Sequence, residues 1–547
     1  MHVKPFRAEH TSVGSGNPAT QEGQTCGVSI PRSLASSIVL RYDATKGIPA
    51  QMIRPTDFRQ RGDTSLQLLQ RFLDALGNGI DGELDGDYVV PSQLLLRWKS
   101  NFTLNGNGYR ITLADGAATG WGGSALYVVG CHDFLIADMI CDGNRDKRIP
   151  AEDPAHVIVV DKCHRWTFRN VQAVNGTCDG FLIYAGTEGN GTGPNGAFST
   201  ADVPSRWSLE NCAALNNFRQ GLSVIESVEA SIEGGRFGLT HGLWDSGNGP
   251  CAGINLEPDD LPSRPRDRIR NIAIRNVLFD GNQGPGLLIT RVNGVREIDV
   301  VDCIFDDNKR AAIESFGDDV AIMRPKIRNW SGQPYTSRAD APPKRGSIDI
   351  GYGAGPTRIV DPAFECVDNG ASDRHPCIYV HGGAAAGIVI RGIRSDGSAS
   401  FICGAHAPQI QVSHSVIDLH AANRPNAFVF LGDYAVFEHM MLLGVYESAA
   451  YFGGKAPRIQ NNKFFVRVAT PTVYVISAWD ATAPDLRENL IEFDKPVAAK
   501  SISVGQNATV MGTKVINSMS DRLFDSRGIP RLASGNAHVA RRSRTPP

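Results

Sequence analysis

The strongest constraint on this chain is a strand that keeps coming back. HRWTFRNV from His164, SRWSLENC from Ser205, IRNIAIRNV from Ile269 and VREIDVVDC from Val295 all alternate apolar with polar residues. Each ends in Asn or Asp followed by a small apolar residue. A second short strand then opens with Gly or Ala plus an apolar residue: Gly180-Phe181, Gly221-Leu222, Gly253-Ile254, Gly286-Leu287 and Ala312-Ile313, at steps of 41, 32, 33 and 26 residues. Alternation sends every second side chain to one face of a strand. A unit this small cannot bury its apolar face alone, so it must stack on its neighbours.

Stacking predicts an all-β fold, a single-stranded right-handed parallel β-helix. Phe181/Ile183, Leu222/Val224, Ile254/Leu256, Leu287/Ile289 and Ile313 would form its core ladder. A solenoid also accommodates 547 residues, which as ordinary globular units would make roughly three or four domains. Turn residues such as Asn170, Asn211 and Asn276 tolerate unusual backbone angles and read as architectural.

The organisation along the chain follows. Residues 1–50 read as a polar leader arm and 51–515 as the solenoid. Leu66, Leu68, Leu69, Phe72, Leu73 and Leu76 fall at helical spacing, so a capping helix is expected near 64–76. Asp63 or Thr64 would be its N-cap, and Gly77 or Gly79 its stop. Weaker coils continue from Ala386, Pro408, Tyr434 and Pro457, and 516–547 reads as a basic, partly disordered tail.

Charge and composition exclude several partners. With 55 basic and 57 acidic residues, the net charge of −2 offers no field for nucleic acid or an anionic membrane. No stretch approaches the roughly 20 apolar residues of a membrane span. The first residues lack the apolar core of about 7–15 residues of a secretory signal. The expected locations are therefore cytoplasmic, virion-associated or exported by a non-classical route. Eleven cysteines lack CxxC or CxxH spacing, and Cys212 and Cys303 occupy equivalent repeat positions. They read as small core residues rather than disulfides or metal ligands.

The segment FRQRGDT from Phe58, the helix after it, GDYVV from Gly86 and LNGNG from Leu104 resemble the opening of pectate-lyase-like right-handed parallel β-helix proteins. There an FGAKGDG segment precedes a capping helix, a G-x-Y strand and L-x-G-x-G. NFRQGLSVI from Asn217 followed by GINLEPD from Gly253 resembles a pairing found in bacterial and phage β-helix proteins of the carbohydrate-active kind. The resemblance implies a polysaccharide or oligosaccharide as partner, with the protein a monomer or homotrimer. The polygalacturonase residue set is absent, and nothing matches a calcium-dependent pectate lyase site. No cofactor is expected, with calcium left open although no ligand loop for it is recognisable.

Using the shared Gly/Ala as register, the outward positions stack in two rows. The first is Leu182, Ser223, Asn255, Leu288 and Glu314; the second is Tyr184, Ile225, Glu257, Thr290 and Phe316. Asp179, Arg219 and Gln220 precede the strands, and Asp259, Asp260 and Arg291 follow them. Glycoside hydrolysis needs an acid and a second carboxylate. Glu257 is expected as principal acid or base, with Asp179, Asp259 or Asp260 as partner and His241 as a further catalytic candidate. Arg219, Gln220, Asn255, Arg291 and Glu314 would hold the sugar. The insertion at 240–251 adds Trp244 and Asp245, and Trp244 or Tyr184 would stack on a sugar face. A second insertion at 185–198 is Gly-rich and reads as a groove wall.

Acids outnumber bases in this patch, which favours a hydrolase. The alternatives are a lyase or epimerase on a uronate glycan, served by Arg219, Arg291, His241 and Tyr184, or a non-catalytic glycan-binding spike or adhesin.

Overall fold

Each turn of the chain contributes one strand to each of three parallel sheets. The computed structural model describes residues 51–117, 120–148, 155–185, 203–242, 249–258, 268–290, 294–330, 346–365, 376–384, 386–396, 402–419, 427–445, 449–467, 474–497 and 501–518, and short strands at 524–526, 531–532 and 537–539. One coil shows the pattern. Phe181–Tyr184 leads to Ser205–Glu210, then Ala213–Leu215, and Leu222–Val224 returns beside the first strand. Repetition builds sheets of 18, 16 and 11 strands, and a sheet of 6 joins them from Val416–Asp418 onward. Every ladder pairing between named strands in the site region is parallel. The fold is the right-handed parallel β-helix expected from the repeat.

The core follows from the alternation. Phe181, Ile183, Leu222, Val224, Ile254, Leu256, Leu287, Ile289 and Ile313 are all buried in one continuous cluster. Phe102, Phe134, Trp166 and Trp207 stack from coil to coil in the 18-stranded sheet, with centroids 5.1, 6.0 and 5.2 Å apart. Identical positions on successive coils face each other, so like packs on like.

The corners show why Asn and Asp end these strands. Asn170, Asn211, Asn276 and Asp302 have φ of 51°, 52°, 55° and 54°, a left-handed geometry those residues tolerate. Asn170 also donates from Nδ2 to Asp138 Oδ1 of the preceding coil at 2.8 Å. Inside the next corner, buried Asn282 donates to the Phe237 carbonyl at 3.1 Å and to Asn308 Oδ1 at 2.8 Å. The nine described cysteines are buried and unbridged, as their ladder positions suggest.

The helix Ser65–Ala75 closes the described N-terminal end. Thr64 is its N-cap and Gln67 reciprocates in a capping box, while Leu68, Leu69, Phe72 and Leu73 are buried. Gly77, at φ 109°, follows its end. The expected leader arm lies outside the described residues. At the other end Phe524–Ser526, Arg531–Leu532 and Ala537–Val539 pair with the preceding coil, so paired strands reach past the boundary expected at 515. Among the described residues no helix is long and apolar enough to cross a membrane.

The Gly that opens four consecutive strands of the 16-stranded sheet, at 180, 221, 253 and 286, has a steric cause. A Cβ on Gly180, Gly221 or Gly253 would lie 2.7, 2.4 or 2.6 Å from the carbonyl oxygen of the next coil's glycine. Gly253→Ala should therefore destabilise the solenoid by about 1–3 kcal/mol, read as a lowered midpoint in chemical denaturation. An unchanged midpoint would contradict this account.

Candidate functional site

The site is carried on the outer face of the 16-stranded sheet. Strand pairing sets Leu182 beside Ser223, Ser223 beside Asn255, Asn255 beside Leu288 and Leu288 beside Glu314, the row expected from spacing. The row then continues through Asp349 to Tyr379. These residues alternate with core side chains, so they stand on the outer side of the sheet. Even so, Leu182, Ser223, Asn255, Leu288 and Glu314 are all buried. In the second row Ile225, Glu257, Thr290 and Phe316 are half-buried.

Asp179 is the electrostatic centre of the upper part. It sits in the turn before Phe181–Tyr184, with its carboxylate fully buried. Arg219, one coil on, donates from Nε to Oδ1 at 2.7 Å and from Nη2 to Oδ2 at 2.6 Å. Ser223 Oγ donates to Oδ2 at 2.8 Å, and His156 Nδ1 lies 3.0 Å from the same oxygen. Gln220 closes the group by bonding Ser223. Burial alone would raise the Asp179 carboxyl, but the Arg219 guanidinium and then His156 outweigh it, holding it well below the usual carboxylate range. Burial pushes His156 below its ordinary value despite the attraction of Asp179. Asp179 is thus a fixed anion and has no proton to give a leaving group.

Glu257 differs. Its Oε2 accepts from Asn255 Nδ2 at 2.5 Å, and its charge is among those that sustain the Arg219 cation against burial. It is a half-buried carboxylate aimed by an amide, within the field of a guanidinium that is itself locked on Asp179.

Other expected residues have different surroundings. His241 is exposed and bonds Asn216 through Nε2; Arg145 also donates to the Asn216 carbonyl at 2.7 Å. This corner, rather than the Asp179 group, supplies its contacts. Tyr184 is buried, with its hydroxyl 3.2 Å from that of Tyr127, which donates to Asp161 at 2.9 Å. It belongs to an apolar cluster with Val129, Val159 and Leu182, which seals the upper end of the outer face. Glu314 accepts from Arg310 at 3.0 Å, and burial pushes its carboxyl above the usual range against the pull of Arg310. Trp244, Asp245, Asp259, Asp260 and Arg291 lie outside the described residues.

Sequence reasoning missed His156, Tyr127, Asp161 and a buried ion pair between Glu226 and Arg268. Glu226 also accepts from the Ala185 N–H at 2.7 Å. It therefore ties together the strand end before 186–202 and the strand start after 259–267. His156 stands one coil before Asp179 in the same turn, but no Gly marks that coil's register.

His156, Cys178 and Asp179 bring three donor atoms within 4.8 Å of one another. Two arginine N–H groups already occupy the carboxylate, and burial pushes the Cys178 thiol far up, away from the thiolate a metal needs. The set is built for hydrogen bonding rather than for a cation.

No protein-family model and no curated protein matches the chain by sequence. Among solved structures it is similar to the pre-mature gene product 12 of bacteriophage phi29, at 14% identity and a TM-score of 0.48, covering 85% of this chain and 68% of that one. It is also similar to the A-module of the Azotobacter vinelandii mannuronan C-5 epimerase AlgE6, at 12% identity and a TM-score of 0.39, covering 90% and 99%. A third is a double mutant of the tailspike protein of E. coli bacteriophage HK620, at 12% identity and a TM-score of 0.33, covering 90% and 78%. The fold assignment itself stands on the strand pairing.

The Asp179 network predicts an acid-sensitive contribution to stability. A depressed folded-state pKa gives stability that is present above the ordinary Asp value and lost as pH falls below it. The stability gap between the native protein and Asp179→Asn should be full at pH 7 and shrink as pH drops below about 4. Denaturant midpoints across that range check this, and a gap independent of pH would contradict it.

Proposed function

We propose that the protein cleaves a long polysaccharide by hydrolysis, with the polymer lying along the outer face of the 16-stranded sheet. The observation that carries this reading is the in-register row from Ser223 and Asn255 through Glu314 and Asp349 to Tyr379. Parallel strands repeat at about 4.8 Å, so such a row, interrupted by Leu288, spaces its side chains regularly along a linear ligand, with Asp349 and Tyr379 half-buried and Ser223, Asn255 and Glu314 buried beneath the face. Glu257, held by Asn255, supplies a carboxylate beside the row.

Hydrolysis is favoured over lyase or epimerase chemistry by what Arg219 does. A uronate needs a cation to neutralise its carboxylate, and Arg219 already spends two N–H donors on buried Asp179. The outer face meanwhile offers Glu257, Glu314 and Asp349, the residue type that glycosidic hydrolysis requires.

Product analysis on a panel of neutral and acidic polysaccharides tests this. The expected outcome is new reducing ends without ultraviolet-absorbing unsaturated sugars, with kcat/KM lowered at least about tenfold in Glu257→Gln. Unsaturated products would establish a lyase instead. Glycan binding with no product from any substrate would establish a binding protein.

A further inference from the structure

Glu314 and Asp349 stand on neighbouring strands, Ile313–Ser315 and Ile348–Ile350, as direct pairing partners. Their flanking residues Ile313, Ile348 and Ile350 are fully buried in the core, so both carboxyl groups project from the opposite, outer side. Glu314 is only 7% exposed. Its Oε1 accepts from Arg310 at 3.0 Å, while its Oε2 has no hydrogen-bond partner among the described residues. A buried polar atom left unpaired is costly and calls for an explanation, of which a bound group is one. Asp349 is half-buried, and the next partner in the row is Tyr379. The Tyr379 ring stands edge-on to His381, with centroids 5.0 Å apart, and 5.5 Å from His406. An acid, a second acid and a ring cluster thus follow one another on successive coils.

We propose that Glu314 and Asp349 are the catalytic pair, with Tyr379 as the platform for the adjoining sugar. The inference rests on the reading of this face as a site of polysaccharide hydrolysis. Burial pushes the Glu314 carboxyl above its ordinary value, while Arg219 holds Asp179 below its own, so Glu314 is the better placed of the two to donate a proton. Their backbones run on adjacent parallel strands about 4.8 Å apart, and assigning the pair to a mechanism through a covalent intermediate places the two carboxyl groups roughly 5–5.5 Å apart. In the first step the Asp349 carboxylate attacks the anomeric carbon and forms a glycosyl ester. The bond from that carbon to the glycosidic oxygen breaks, and the Glu314 proton goes to the departing oxygen. In the second step the Glu314 carboxylate takes a proton from water, whose oxygen attacks the anomeric carbon. The ester breaks, and the Asp349 carboxylate and the Glu314 acid are restored. One water is consumed per bond cut. Glu257 binds the sugar two coils away and takes no part in the proton transfer.

The test uses the full chain and whichever panel polysaccharide the native protein cleaves fastest. Glu314→Gln and Asp349→Asn should each lower kcat roughly a thousandfold with KM changed little. Glu257→Gln should raise KM with kcat nearly unchanged. Circular dichroism confirms that each variant folds. Should Glu314→Gln fail to fold, Asp349→Ala with added azide replaces it, and recovery of turnover as a glycosyl azide is the expected result. Native cleavage with undiminished kcat in Glu314→Gln and Asp349→Asn would overturn the pair while leaving hydrolysis on this face intact. No cleavage by the native protein would overturn the underlying reading itself.

Discussion

Backbone hydrogen bonds between successive coils fix where the side chains of the described strands stand. Because the strands are parallel and in register, residue positions repeat from coil to coil, and the side-chain period of two divides them into a core set and an outer set. In the site region the glycines at 180, 221 and 253 hold that register, since the next coil's carbonyl occupies the space a side chain would need. A slip of one residue would move Asn255 and Glu314 inward and Leu256 outward. Structural and functional rows therefore depend on the same ladder.

Within that frame the outer face is graded. Its upper end is closed by Tyr127, Val159, Leu182 and Tyr184. Next comes the Asp179–Arg219 group, whose charges satisfy each other. Burying a charge is tolerated only when it is paired and hydrogen-bonded, and here two N–H donors, a hydroxyl and an imidazole surround one carboxylate. Such an arrangement orients neighbours such as Ser223 and Gln220 and leaves no proton in play. Further along, Glu314 is buried with one oxygen bonded to Arg310 and the other without a hydrogen-bond partner among the described residues, and burial shifts its carboxyl the opposite way. The two carboxyl groups are thus shifted in opposite directions, Glu314 up by burial and Asp179 down by Arg219, a pattern acid–base chemistry uses.

Much of this was legible in the sequence, for physical reasons. Alternation with a shared Gly or Ala predicts the core ladder and the row from Leu182 to Glu314, because each coil there is marked by a small residue, Ala312 in the last. The turn asparagines and the Thr64 cap carry their own backbone chemistry and are equally readable. What was not legible is environment. Nothing local in Asp179 reveals that it is sealed beneath Arg219, and nothing in Tyr184 shows that its outward ring is covered. The Glu314–Asp349 pair was missed for a different reason. The chain between their strands is longer than the preceding step, so the spacing argument stopped at Phe316. The alternation Ser347-Ile-Asp-Ile350 after Gly346 was the available signal, and Cys377-Ile-Tyr-Val380 repeats it one coil later.

The most direct measurement is nuclear magnetic resonance of the first sugar anomer released from a cleaved polysaccharide, recorded before mutarotation. A pair on adjacent strands predicts a product that retains the configuration of the bond cut, formed by addition of one water. An inverted product would contradict the assignment of Asp349 as nucleophile, and an unsaturated product would contradict hydrolysis on this face altogether.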